Sequence, residues 1–512
     1  MYCSVKTATL NGIESIPVTC ESDVSNGLPN FSIVGLLSTE IKESRERVRT
    51  AIKNSKVKFP ASRITVNISP ASIRKSGTGF DLPIAVSILG AYGQIKTSAL
   101  KDIMMIGEMN LTGEILPVKG VLSACLVCKE LGIRYLMVPE GNKYEAAMIP
   151  TLKILPVSSL QEVIQILKES EIDERYIWEA EPRINATSNI YDKDFKNLKG
   201  HKTLRRAMEV AVSGMHNLLM IGPPGAGKTM AASCVPSILP PMSECEQIEV
   251  SKIYSAAGLL RDNTTLMNNR PFRSPHHTIS NIGLVGGGST PIPGEITLAT
   301  SGILFLDELL EFRKESLELL RQPLEEHYIN ISRSKNQVTF PADFMLIAAS
   351  NPCPCGYFPD LRRCHCSETS IHRYLSRLSG PLMDRIDIIV SIHPLTLQEM
   401  SSNSECESSE SIQRRVIKAL EIQRIRFNGT DIRFNSRIPT SKINTYCALT
   451  DKVQSDLMEL LKGESISARS YNKLLKLSRT IADLDGSEDI TINHLREASN
   501  YILKGAKWLK IY

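Results

Sequence analysis

Gly222, Pro223, Pro224, Gly225, Ala226, Gly227, Lys228 and Thr229 follow the spacing G-x-x-x-x-G-K-[ST]. Glycines at these positions let the backbone curl until its N–H groups converge. A helix N-terminus directly behind adds positive potential, so the loop suits a chain of phosphates. Lys228 is spaced to reach the β- and γ-phosphates, and the Thr229 hydroxyl to ligate Mg²⁺. A second group, Asp307 and Glu308, closes the apolar run Gly302 to Leu306. A buried strand ending in two acids suits metal-assisted phosphoryl transfer. Asp307 would hold Mg²⁺ through water, and Glu308 would polarise the water that attacks the γ-phosphate. An edge strand leading into an acidic helix start reads similarly, but the phosphate loop upstream decides for ATP hydrolysis.

The elements that must position these groups are legible around them. Strand-like runs at 217–221, 303–306 and 344–349, separated by helical stretches, predict a parallel sheet with crossover helices within a domain spanning 198–400. Residues 1–167 alternate strand patterns (Ile64 to Ile68, Tyr135 to Val138) with helical ones (Ile41 to Asn54, Val121 to Leu131), predicting a mixed α/β domain. Residues 168–197 are polar and aperiodic, as in a linker, and the serine- and glutamate-rich run 401–410 reads as a solvated spacer. Apolar residues at helical spacing in Ile412 to Phe427 and Tyr471 to Leu484 make 411–512 an all-α domain.

A chain of 512 residues has room for about three domains, and 42% hydrophobic with 22% charged residues is ordinary for a globular protein. The longest apolar stretch, Leu82 to Tyr92, is too short to span a bilayer, and Met1 to Lys6 lacks a signal-peptide pattern, so a cytoplasmic protein without a membrane role is expected. Twelve cysteines outside a small secreted scaffold predict reduced thiols. A net charge of +5 permits nucleic-acid binding without arguing for it.

Further segments carry a family pattern. Arg270 to Ile279, Leu284 to Ser289, Pro293 to Ile296, Phe305 to Leu309 and Asn351 to Gly356 closely resemble the magnesium-chelatase-like AAA+ ATPases of the YifB/ComM family. The resemblance extends to Lys75 to Ala85 near the start and to Ser467 to Tyr471 and Arg479 to Leu484 near the end. It implies a P-loop AAA+ core, an N-terminal domain like ribosomal-protein-S5 domain 2 and the Lon protease domain, and a C-terminal helical lid. It also implies a homo-hexameric ring that uses ATP and Mg²⁺ to drive branch migration of recombination intermediates, with branched or single-stranded DNA as partner. Thr300, Leu310 and the pair Gly200-His201 depart from the family pattern without touching the ATP chemistry. The rival implication is a chelatase-like or chaperone-like ATPase that remodels a protein partner.

By the same resemblance Asn351 is similar to the sensor 1 residue that fixes the attacking water, and Arg469 to sensor 2, contacting the γ-phosphate from the lid. Arg385 is similar to the arginine finger that enters the neighbouring subunit's site, with Arg377 as its competitor; a planar, permanent charge suits the transferring phosphoryl group. Residues 328–340 read as a hairpin around a polar tip, and in related rings this hairpin faces the pore, which would set Lys335 and Arg333 against DNA phosphates. An exposed hairpin with solvated charges is the bland alternative. The glycine-rich stretch 283–294 reads as a mobile loop with Leu284 and Val285 as pore residues, and Arg273, His276 and His277 as further contacts.

Cys353, Cys355, Cys364 and Cys366 place four thiols on one short loop, which suits a structural, tetrahedral Zn²⁺ site as well as it suits unliganded thiols; His365 is an alternative ligand. Cys125 and Cys128 share one face of an apolar helix, where packing explains them. In the N-terminal domain the protease dyad is missing: Ser76, Thr78 and their neighbours stand near the serine position, but Leu122 falls where the lysine would lie. Arg45, Arg47, Arg49, Lys53, Lys56 and Lys58 form either a DNA-facing surface or a solvated helix face.

Overall fold

The computed structural model describes residues 1–179, 193–260, 266–288, 291–333, 336–394, 406–463 and 466–504. Lys335, the middle of the 168–197 linker and residues 401–405 of the 401–410 spacer lie outside the described residues.

A seven-stranded sheet forms the N-terminal domain, in the order 30–34, 63–69, 14–25, 2–11, 103–105, 135–139, 153–157. The long pair Tyr2–Asn11 and Glu14–Ser25 is antiparallel, while 103–105, 135–139 and 153–157 run parallel. Helix Thr39–Asn54 buries Ile41, Val48, Ala51 and Ile52, a stripe at helical spacing. Helix Asp81–Ala91, the most apolar run in the chain, is buried on every side. A helix that is apolar all round belongs inside a domain or a membrane. Among the described residues no helix is long and apolar enough to cross a membrane.

The second sheet carries the phosphate loop. Five parallel strands run in the order Phe272–Arg273, Ile303–Leu306, Met345–Ser350, Leu218–Ile221, Ile388–Ser391. Parallel sheets are covered on both faces, so their strands read as continuous apolar runs. Leu218, Met220, Phe305 and Ile347 face one cluster, shared with the helices Lys202–Gly214, Ser409–Arg426 and Ala468–Leu484. Leu219, Ile221, Leu304, Leu306 and Ala348 face the other, shared with helix Glu244–Ala257. The C-terminal helices therefore share a core with the ATPase sheet. Phe195, within the expected linker, is buried in that same core, and its N–H donates to Ser409 Oγ at 2.8 Å.

Contacts between the N-terminal domain and helix Glu244–Ala257 of the ATPase core are specific. Lys252 pairs with Glu14 at 2.5 Å, and the Gly120 N–H donates to Ser255 O at 3.2 Å. Glu145 accepts from the Leu122 N–H at 3.0 Å and from the Ser255 hydroxyl, and burial pushes its carboxyl above the usual range.

Candidate ATP site

Register aligns the C-terminal ends of three strands: Ile221 lies opposite Ser350 and Leu306 opposite Ala348. The loop after the first strand, the acids after the second and Asn351 after the third thus open into one cleft, lined by Pro224 to Met230, Asp307, Glu308, Ser350 and Asn351. Ligands in open α/β sheets bind at this edge. Gly225 and Gly227 have φ of +75° and +79°, a region closed to most side chains, so the two glycines are what permits the curl.

Within the cleft the predicted residues meet. Lys228 Nζ donates to Gly222 O at 2.5 Å, to Pro223 O at 2.9 Å and to Asn351 Oδ1 at 3.1 Å. Burial pushes the Lys228 ammonium below its usual range, while Asp307 and Glu308 pull it back. Thr229 Oγ1 donates to Asp307 Oδ2 at 2.7 Å. A hydroxyl and a carboxylate side by side at the end of a phosphate loop are a hard oxygen donor set of the kind Mg²⁺ takes when it also bridges phosphates. Beside this cleft opens a second cavity of about 660 Å³, lined by Asn197, His201, Gly222 to Gly227, Tyr357, Phe358, Arg363 and His393 among others. Its size and its position against the loop suit a nucleoside.

Three family models match, in chain order and without overlap: subunit ChlI of Mg-chelatase over residues 20–142, magnesium chelatase subunit ChlI over 194–400, and the ChlI C-terminal model over 406–502. The competence protein ComM of Haemophilus influenzae is 40% identical over 497 residues, covering 96% of this chain and 95% of the relative. An uncharacterized protein, YifB of Salmonella typhimurium, is 40% identical over 501 residues, covering 97% and 96%. The chain belongs to the ChlI-like magnesium-chelatase family. ComM and YifB are its homologues over nearly their whole length. Over 168 residues the chain is also 26% identical to the Lon protease of Mycoplasma mycoides, covering 30% of this chain and 21% of that one. Membership of this AAA+ family implies ATPase activity.

Several expected residues lie outside this cleft or are held elsewhere in the ChlI-like chain. Arg385 and Arg469 are not among the residues that line it. Arg385 Nη1 donates to Pro381 O at 2.5 Å and its Nη2 pairs with Glu325; Arg469 pairs with Asp384 at 3.2 Å and lies 3.9 Å from Glu325. Lys473, one turn along the same helix as Arg469, donates to Ile386 O at 2.6 Å and so ties that helix beside Arg385. The competitor, Arg377, donates to Leu310 O at 2.5 Å and stacks near Tyr374.

Leu284, expected on a mobile loop, is fully buried. Ser280 caps the short helix Asn281–Val285, and the two-residue strands Gly286–Gly287 and Ile292–Pro293 pair behind it. Glycines there serve close backbone approach, which composition alone reads as looseness. Ile282 and Ile292 are the exposed apolar residues of this segment. Arg273, expected at DNA, is held by Glu295 through two bonds of 2.6 and 2.7 Å, and Arg47 by the buried Asp81 at 2.9 and 3.1 Å. Both are structural ion pairs.

Sequence reading missed the role of His277. Its Nδ1 lies 3.3 Å from Glu308 Oε2. The hairpin forms as expected, with Tyr328–Arg333 paired antiparallel to Asn336–Pro341 and Arg333 opposite Asn336. Cys125 and Cys128 are buried on helix Val121–Glu130 as packing predicts, and burial drives the Cys128 thiol up to about 12. Leu122 is buried on the same helix, while Ser76, Thr78 and Lys119 line a separate cavity of about 400 Å³.

Proposed function

We propose that this chain is an ATP-driven DNA motor, a homo-hexameric ring that migrates branches in recombination intermediates in the cytoplasm. The observation that carries the ring is that Arg385 and Arg469 both turn to Glu325, outside the cleft of their own phosphate loop. Two guanidiniums on one face, outside a cleft where Lys228 is the one cation among the described lining residues, suit a site completed by a neighbouring subunit. Near-full-length similarity to a competence protein supports DNA as the substrate. The hairpin of Tyr328–Arg333 with Asn336–Pro341, whose sequence carries Arg333 and Lys335 between Ser332 and Asn336, would grip phosphates without reading sequence.

In this reading the loop N–H groups and Lys228 bind the β- and γ-phosphates, and a neighbour's Arg385 and Arg469 balance charge as the γ-phosphoryl leaves. Thr229 and Asp307 would hold Mg²⁺, which would neutralise phosphate charge when bound. Glu308 takes a proton from the attacking water, and Asn351 orients that water. Lys228 and Asn351, already 3.1 Å apart, link phosphate binding to water placement.

A second reading, remodelling of a protein partner, is favoured by the three matches to a chelatase subunit. One experiment separates them: ATP hydrolysis with no DNA, single strands, duplex and four-way junctions, with Glu308→Gln as blank and junction resolution followed in parallel. DNA-stimulated hydrolysis with ATP-dependent junction movement supports the motor. A DNA-indifferent ATPase that moves no junction sinks it and leaves the protein-remodelling reading.

A further inference from the structure

The loop between Asn351 and helix Glu368–Leu375 brings Cys353, Cys355, Cys364 and Cys366 together, with one sulfur from each within 4.8 Å of the others. Three of the separations are 3.4, 3.5 and 3.7 Å. Disulfides need about 2.05 Å. Four thiolates around one zinc, each at about 2.3 Å in a tetrahedron, lie about 3.8 Å apart, which matches this cluster. The Phe358 N–H donates to Cys353 Sγ at 3.4 Å, a bond that stabilises thiolate over thiol. His365 is exposed and outside the cluster, so the donor set is all sulfur.

Between these cysteines the chain touches the nucleotide machinery twice. A Cβ placed on Gly356 would meet Pro224 Cδ at 2.6 Å and Asn351 Cγ at 3.8 Å, so this glycine lets the cysteine loop lie directly on the phosphate loop and on the sensor residue. Tyr357, Phe358, Pro359, Asp360 and Arg363, all enclosed by the cysteine pairs, form one wall of the 660 Å³ cavity. That wall has little secondary structure of its own. Its internal bonds are turns: Asp360 N–H to Tyr357 O at 2.9 Å and Cys364 N–H to Asp360 O at 2.8 Å.

We propose that a zinc ion held by Cys353, Cys355, Cys364 and Cys366 sets the 353–366 loop as the wall of the nucleoside cavity, so that nucleotide affinity depends on the metal. The inference rests on reading that cavity as the ATP site. Zinc binding replaces four thiol protons, released to solvent, by four metal–sulfur bonds, and no electron transfer occurs.

The test uses the full chain. Protein grown with zinc should carry about one zinc per chain by elemental mass spectrometry, and cobalt-loaded protein should show the thiolate-to-metal absorption bands of a tetrahedral sulfur site. Removing the metal should weaken binding of a fluorescent ATP analogue about tenfold, with recovery when zinc is returned. Gly356→Ala should keep zinc and lose affinity, because it pushes the loop off Pro224 without removing a ligand. Lys228→Ala should do the same through the phosphates. Protein that holds no zinc after zinc-replete growth overturns the site. Zinc protein whose affinity is equal with and without the metal overturns the coupling. Zinc-bound wild type that binds no nucleotide overturns the ATP reading and the wall's role together, and its unchanged zinc content distinguishes that failure from loss of the metal.

Discussion

His277 Nδ1 and Glu308 Oε2 lie 3.3 Å apart, while the neighbouring acid, Asp307, accepts from Thr229 at 2.7 Å and from the Glu308 N–H at 2.9 Å. Glu308 has φ +51°, so the chain turns sharply after Asp307 and the two adjacent carboxylates serve different partners. The His277 ring packs tilted against His276 at 4.1 Å between ring centroids, and the chain leads on into the 281–294 segment. In the proposed mechanism, where Glu308 is the general base, this contact would draw its carboxylate toward His277. His277→Ala should raise basal ATP turnover by about two- to fivefold and shrink DNA stimulation in proportion, read by steady-state phosphate release. A lower basal rate would show that the imidazole orients Glu308 for the water instead.

Glu308→Gln keeps the shape of the side chain and removes its basicity. Turnover should fall by about 10² to 10⁴ while ATP affinity stays within a factor of about two. Single-turnover hydrolysis with a parallel binding titration separates the two quantities. Equal loss of binding would mean that Glu308 holds the nucleotide and is not the base.

Arg385 and Arg469 share Glu325 as a partner, so one subunit face presents both. Arg385→Ala and Lys228→Ala proteins should each be inactive. Mixed before assembly, they should recover a fraction of wild-type turnover, because some interfaces then join an intact Lys228 to an intact Arg385. A mixture as inactive as its components would place Arg385 in its own subunit's chemistry.

The phosphate loop and the Asp307-Glu308 strand were legible because local backbone and burial demands fix residue types at short spacing. The edge strand Phe272–Arg273 and the strand Ile388–Ser391 were not, since the first is two residues long and the second gains its identity only by pairing with Leu218–Ile221. Leu284 misled for the opposite reason: its glycine-rich neighbours signalled a loop, and only tertiary contact buries it. The cysteines were legible as a group, but their approach to Pro224 depends on Gly356 and on the fold around it. His277 and Glu308 belong to different strands' ends, and no spacing rule joins them.

Arg270 is a buried guanidinium beside the ATPase sheet. It pairs with Glu246 through bonds of 2.9 and 3.0 Å and donates to Pro240 O and Ser301 O at 2.8 and 2.7 Å, with both side chains buried. Those carbonyls belong to different segments, so the side chain ties the strand at Phe272 to the loop before helix Glu244–Ala257. Arg270→Met would strand the Glu246 carboxylate in the interior and should cost about 3–5 kcal/mol in urea unfolding. The double variant Arg270→Met with Glu246→Gln should recover part of that loss. No recovery would mean that the carbonyl contacts, and not the ion pair, carry the stability.

His327 offers a pH-dependent counterpart. Burial, aided by Arg437, pushes its imidazole down to about 4, against the pull of Asp343 at 3.7 Å. Lys476 adds a further positive field from helix Ala468–Leu484. The unfolded chain titrates at about 6.5, so the folded state favours the neutral ring. A depressed value means that the stabilisation is full above pH 6.5 and is lost as the pH falls toward 4, where the imidazole must charge inside the fold. With a third of the ring exposed, the change is discounted to about 1–2 kcal/mol. His327→Asn suits the left-handed backbone at φ +60° and removes the titration. Urea unfolding across pH 7.5 to 4 should show a shallower fall for the variant, the two curves diverging below pH 6.5. Parallel curves would show that His327 stays neutral or charged alike in both states and that other groups set the acid limit.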